Sequence, residues 1–144
     1  MYEITKTLHH YIAFIALILL AWATINGIIG TTSEKIFEEK HRKINVFALI
    51  ATHTQLVLGL ILLLISPVAQ TAFANMGAAM KDSYTRQMVV EHPFVNIIAV
   101  ILVTIGNARA KKSIGNGRKF KQSAIFYGIA LLLILTRIPW SVLF

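Results

Sequence analysis

Polar and apolar residues fall along this chain in long blocks. Residues 8–29, 44–66, 90–108 and 122–140 are almost continuously apolar. Each is long enough to cross a hydrocarbon core of roughly 30 Å at about 1.5 Å per helical residue. The polar stretches between them are too short to hold another domain. The pattern predicts an all-α, integral membrane four-helix bundle that takes up residues 1–144 as a single four-span domain. Within each block the small and polar residues recur at alternating fours and threes, so they share one helix face. The first block gives His9, Ala13, Ala16, Leu20, Ala23, Gly27 and Gly30, and the second Asn45, Ala48, Thr52, Gln55, Gly59 and Ser66. The third gives His92, Asn96, Ala99, Val103, Gly106 and Ala110, and the fourth Ser123, Tyr127, Ala130, Ile134, Arg137 and Ser141. Small residues let helix backbones approach closely in a membrane, so these faces are expected to point inward.

Charge adds an orientation. Lys35, Lys40, Arg42 and Lys43 lie between the first and second spans, and Arg109, Lys111, Lys112, Arg118, Lys119 and Lys121 between the third and fourth. The outer segments hold Lys6, Lys81, Arg86 and Arg137. The excess of basic residues places those two loops in the cytoplasm and both termini outside, which for a bacterial chain means a multi-pass protein of the inner membrane. A 56% hydrophobic content, 14% charged residues and a mean hydropathy of +0.68 fit the same class. The net charge of +8 is then a basic rim beside anionic lipid, and no nucleic acid is needed to explain it. The first block is longer than a signal-peptide core and lacks a cleavage site of small residues, so it is expected to be retained as a helix.

The connecting segments are expected to differ. Residues 31–43 mix both charge signs around Ile36 and Phe37, which suggests a short interfacial helix with His41 solvated among the charges. Residues 67–89 begin at Pro67 and run through small and polar residues. They predict an outer cap with a short helix around Ala74 to Met80.

There is no cysteine. That excludes disulfides, Cys-ligated iron–sulfur clusters and covalent attachment of a c-type haem. Phosphate-loop, zincin and nucleophile-elbow motifs are absent as well. Any chemistry must come from ionisable residues at membrane depth, where a charged or strongly polar group costs a few kcal/mol unless it faces the interior. These are His9 and His10, His53, Glu91 with His92, and Arg137. With outside termini, His9, His92 and Arg137 reach one layer at the outer end of the bundle. Counted from the cytoplasmic boundaries, His9 and His92 differ in depth by roughly 6 Å, and His92 and His53 by roughly 10 Å.

His53 lies roughly 130° from the small face of its helix. It is either a lone polar group bonded to a neighbour or part of a second face turned to a cofactor. For the rest, a plainer account also exists: interfacial histidines, interfacial aromatics at Tyr2, Tyr11, Trp22 and Trp140, and a Glu91–Arg137 ion pair.

Facing imidazoles suit zinc, copper or haem iron, but the lack of Cys and of inward carboxylates other than Glu91 argues against zinc and di-iron sites. Haem b asks for two axial imidazoles, small residues beside the macrocycle and a cation for a propionate. His9 and His92 form the candidate axial pair and Arg137 the candidate propionate partner. His53 is the substitute ligand if the layer sits deeper.

The succession LHHYIAF, HTQLVLGLILLLISP, MVVEHPFVNIIAVILVTIGNARAKK and a closing RIPW resembles a family of small four-helix membrane proteins from Bacteroidota-like bacteria, often labelled cytochrome b. The resemblance covers nearly the whole chain and implies a four-span inner-membrane protein with His9, His53 and His92 at the family's histidine positions. Asn107 stands where a further histidine would be expected, against a two-haem version. Three functional classes follow. The chain is an electron carrier between quinol and an outer-side partner, or a haem-free accessory subunit of a larger membrane complex, or a transporter or ligand-gated regulator. Unbroken helices give the last little support.

Overall fold

The computed structural model describes residues 1–140 and is all-helical across them. The helices are α1 (Tyr2–Thr32), α2 (Glu39–Ile65), α3 (Pro67–Ala74), α4 (Met76–Lys81), α5 (Ser83–Arg86), α6 (His92–Lys112) and α7 (Asn116–Arg137). A π-helical turn, Gln87–Glu91, joins α5 to α6 without interruption. Four helices are long and apolar enough to cross a membrane: α1, α2, the run Ser83–Lys112, and α7.

These four close into a ring in which α1 packs on α2, α2 on α6, α6 on α7, and α7 on α1. Over the described residues the predicted small faces are the faces that meet, apart from the exposed Arg137; Ser141 of the fourth stripe lies outside the described residues. Leu20 and Ala23 of α1, Ala48 of α2, Ala99 and Val103 of α6, and Tyr127 and Ala130 of α7 are buried in one core. Large aliphatics such as Ile15, Ile18, Ile25, Ile101 and Leu132 lie on the outer surface instead. Apolar on the outside and small within is the arrangement of helices that associate by close packing. It is tightest where α1 crosses α7. A Cβ on Gly27 would come 2.6 Å from Ala124 N, and one on Gly30 would run into the Phe120 ring.

Three boundaries differ from the sequence reading. The first helix starts at Tyr2, not at residue 8, because the polar residues before His9 continue its helical pattern. No interfacial helix forms within 31–43. Instead α2 begins at Glu39 on a capping box, in which Glu38 N donates to His41 Nδ1 over 2.9 Å and the Glu38 side chain accepts from the His41 backbone. His41 is therefore buried rather than solvated, with its ring against Phe37 and Phe120. Residues 67–89, expected to form an outer cap with one short helix, hold three short helices. Asn75 divides the first two, ending α3 and capping α4 by accepting from Ala78 N over 3.2 Å.

The ends of the bundle are fixed by different chemistry. Near the basic loops a polar cluster crosses the diagonal from α7 to α2. Tyr127 Oη donates to Asn45 O over 2.9 Å, and Asn45 Nδ2 donates to Ser123 Oγ over 2.8 Å. Close by, Phe37 N donates to Asn116 Oδ1 over 3.0 Å and Lys119 Nζ to Ala110 O over 2.9 Å, which ties the two basic loops together. The other diagonal, from α1 to α6, is spanned at the opposite end by two histidines.

Candidate paired-imidazole cavity

Two prolines shape this end. Pro93 has no N–H and its ring crowds the carbonyl four residues back, so an α-helix cannot run through it undisturbed. The preceding residues widen into the π-helical turn, with His92 N bonded to Gln87 O. Such single turns alter where the next side chain points, and here that side chain is His92. At the end of α7, Pro139 disfavours helical geometry in the residue before it. Ile138 is extended, with φ −65° and ψ 131°. The last carbonyls of α7 therefore lack helical donors, and that of Arg137 accepts a hydrogen bond from His92 Nδ1 over 3.0 Å.

That bond fixes the His92 tautomer. A carbonyl only accepts, so Nδ1 carries the proton and Nε2 of the neutral ring keeps its lone pair. Asn96 Nδ2 lies 3.2 Å from the same Nδ1, but two donors cannot bond each other; its acceptor is His92 O, at 2.6 Å. Across the bundle, Gln55 Nε2 donates to His9 O over 2.8 Å and passes 3.4 Å from His9 Nε2. The amide orientation is set by that carbonyl, which leaves Gln55 Oε1 and His9 Nδ1 buried with no hydrogen-bonding partner in the protein. Each such atom costs about 1–3 kcal/mol.

The His9 and His92 ring centroids are 6.3 Å apart and the ring planes perpendicular. Both rings line a cavity of about 520 Å³, bounded also by Tyr2, Lys6, His10, Gln55, Gly59 and Tyr84. That volume lies within the range of about 300–1,000 Å³ usual for cofactor sites. A smaller void of about 50 Å³ adjoins it and shares Ala13, Gln55, His92 and Asn96. Gly59 gives the His9 ring its space, since a Cβ there would sit 3.2 Å from His9 Cε1.

Of the residues singled out in the sequence, His9 and His92 are brought together. Arg137 comes to the same layer, but through its main chain. Its guanidinium was expected to face the interior; it is 45% exposed, with Nε 3.8 Å from Glu91 Oε1. Glu91 also accepts from Arg86 Nε over 2.9 Å, so the ion pair anticipated as a plainer alternative is present as part of a triplet. Ile134 and Ile138, on either side of Arg137, stay buried in the core. His53 stands apart from the pair. It is exposed on the outer surface, with Nδ1 2.8 Å from Leu49 O and Nε2 3.4 Å from Thr104 Oγ1 of α6. This is the geometry of a polar group bonded to its neighbours.

The sequence reading did not select Tyr2, Lys6, Gln55 or Gly59 as site residues. A signal for the first two existed, because Tyr2, Lys6, His9 and Ala13 continue the inward stripe by four, three and four. Ending the helix at residue 8 hid it. Tyr84 carried no periodic signal, since its position depends on the folding of the outer cap.

Among the described residues no group of three or more His, Asp or Glu side chains could hold a metal ion. Two imidazoles are too few for a protein-only zinc or copper centre, but they suffice for a metal whose other positions belong to a macrocycle. The separation can be tested. With a metal–imidazole bond of about 2.0–2.1 Å and about 1.1 Å from nitrogen to ring centre, two imidazoles on opposite sides of one ion have centroids about 6.2–6.4 Å apart. The observed 6.3 Å meets that spacing. It also falls within the range of about 4.5–7 Å for edge-to-face aromatic pairs. A simple ring contact, however, does not account for the cavity.

Fold and site together define an all-helical protein with four potential spans and a paired-imidazole cavity at one end of the bundle. Comparison with protein-family models, with curated proteins and with solved structures finds no match to this chain.

Proposed function

We propose that the protein is a haem b cytochrome-like electron-transfer protein or subunit of a bacterial inner membrane, with both termini and the paired-imidazole cavity on the outer side. The observation that carries the reading is the His9–His92 pair, 6.3 Å apart and both lining a cavity of about 520 Å³. Supporting it are the lone pair that the Arg137 carbonyl leaves on His92 Nε2, and the resemblance to four-helix membrane proteins often labelled cytochrome b. His9 and His92 would hold the haem. Bound there, haem supplies a one-electron couple, suited to passing electrons between quinol and an outer-side partner.

The chain's own part is to hold and to shield. Arg137 O orients one imidazole and Gly59 makes room for the other. The apolar outer surface seats the bundle in lipid, and the basic loops favour the cytoplasmic face. Lys6 is the cation among the cavity-lining residues. It is the better-placed partner for an acidic haem substituent because it lines the cavity and Arg137 does not, although each cation has a carboxylate beside it, Glu3 at 3.9 Å from Lys6 and Glu91 at 3.8 Å from Arg137.

The test is a visible spectrum of protein purified from haem-replete cells, oxidised and dithionite-reduced. A Soret band with low-spin b-type bands is expected, and His9→Ala or His92→Ala should each abolish the low-spin form. Wild-type protein without a Soret band would refute the cytochrome reading and leave the haem-free accessory subunit.

A further inference from the structure

We infer that the two imidazoles are unequal: His92 is the fixed ligand and His9 the exchangeable one, so that the site admits a small neutral diatomic ligand on the His9 side. This rests on the haem b reading and adds an exchange function to it.

Three observations separate the histidines. The first is the bonding of the ring nitrogen turned away from a ligand. His92 Nδ1 donates to Arg137 O over 3.0 Å, whereas His9 Nδ1 is buried with no partner in the protein. A bond at that nitrogen fixes the ring and raises its basicity, and losing one typically weakens metal binding by about 10–100-fold.

The second is the backbone. His92 lies between the π-helical turn and Pro93, and its neighbour Glu91 is held by Arg86 at 2.9 Å and by Arg137 at 3.8 Å. His9 stands two turns from the start of α1, on a stretch whose other residues are largely exposed.

The third is space. The His9 ring rests on a glycine, with the larger cavity beside it, so it can swing aside without moving a helix. Gln55 restrains the ring only weakly, because its amide donates to the His9 carbonyl over 2.8 Å and lies at the long distance of 3.4 Å from His9 Nε2.

Carbon monoxide is the probe, added to dithionite-reduced, haem-loaded wild-type protein and to His9→Ala, His92→Ala and Gly59→Ala. Wild type should take up CO at a rate that levels off as CO rises, because His9 must leave first. His9→Ala should take it up in proportion to CO and about 10-fold faster or more. The C–O stretching frequencies of the wild-type and His9→Ala adducts should coincide, since the same His92 lies opposite CO in both. Gly59→Ala presses on the His9 ring and should raise the limiting rate, which keeps the test open if His9→Ala fails to fold. Haem-loaded wild type that takes up no CO, or an adduct matching His92→Ala instead of His9→Ala, would overturn the inference while leaving the cytochrome reading intact. Absence of a Soret band would overturn both, and is seen before CO is added.

Discussion

The close approach of α1 to α7 makes a quantitative prediction at Gly27. Replacing it by alanine adds one methyl group at a point 2.6 Å from Ala124 N and 2.8 Å from Phe120 O, both backbone atoms of α7. Ordinary contact begins at 3.4 Å, so α1 and α7 must part by about 0.8 Å, since packed backbones have no other way to yield. A gap of that size forfeits a quarter to a half of each dispersion contact along the crossing. Helices in lipid associate largely through those contacts. Overpacking of this kind costs about 1–3 kcal/mol, and the better helix propensity of alanine returns at most about 1 kcal/mol. Gly27→Ala should therefore lower the melting temperature of the detergent-solubilised protein and reduce the folded fraction on size exclusion. Two alanine variants calibrate the measurement. At Gly128 the new methyl meets only Thr24 Cγ2 at 3.3 Å, a side-chain atom that can shift, and at Gly117 it meets nothing within 4 Å. The expected order of damage is Gly27, then Gly128, then Gly117 with none. If Gly27→Ala melts with wild type, the α1–α7 crossing is not as close as described and the small-face argument fails.

Tyr127→Phe removes the donor to Asn45 O on the α2–α7 diagonal. It should cost about 0.6–1.7 kcal/mol, the range for interhelical hydrogen bonds in membranes, read as a lower melting temperature with the cavity spectrum unchanged. Cysteines placed at Ala74 and Ser113 should label from opposite sides of spheroplasts, Ala74 from outside; labelling of Ser113 from outside would reverse the orientation. Loss of a nearby positive charge destabilises the electron-rich state of a haem, so Lys6→Ala should lower the midpoint potential more than Arg137→Ala, because Lys6 lines the cavity and Arg137 does not; the reverse order in a redox titration would restore Arg137 as the propionate partner. His53→Ala should leave the low-spin spectrum as it is, because His53 bonds Leu49 and Thr104 on the outer surface; loss of haem in that variant would return it to the ligand set.

What the sequence determined by itself was everything that helical periodicity carries. Four helices long and apolar enough to span follow from the lengths of the apolar blocks, and the inward small faces and the convergence of His9 with His92 from the 100° step and from helix direction. Each is a property of one helix, or of two helices known to run opposite ways. The tertiary structure decided what lies at the junctions. Pro93 and Pro139 are plain in the sequence, yet their effect on the site depends on where the interrupted helices lie relative to each other. One aims His92, and the other frees a carbonyl on a different helix to hold it. Arg137 lies on the inward stripe by counting, but its side chain is half-exposed beside Glu91, so its main chain rather than its charge serves the site. His41 looked solvated because its sequence neighbours are charged, whereas a cap bond, the Phe37 ring one turn away and the distant Phe120 ring bury it. In each case a local pattern fixed the direction of a side chain along its own helix. Which atom it met was set by a partner far away in the chain, and the spacing of residues holds no record of that.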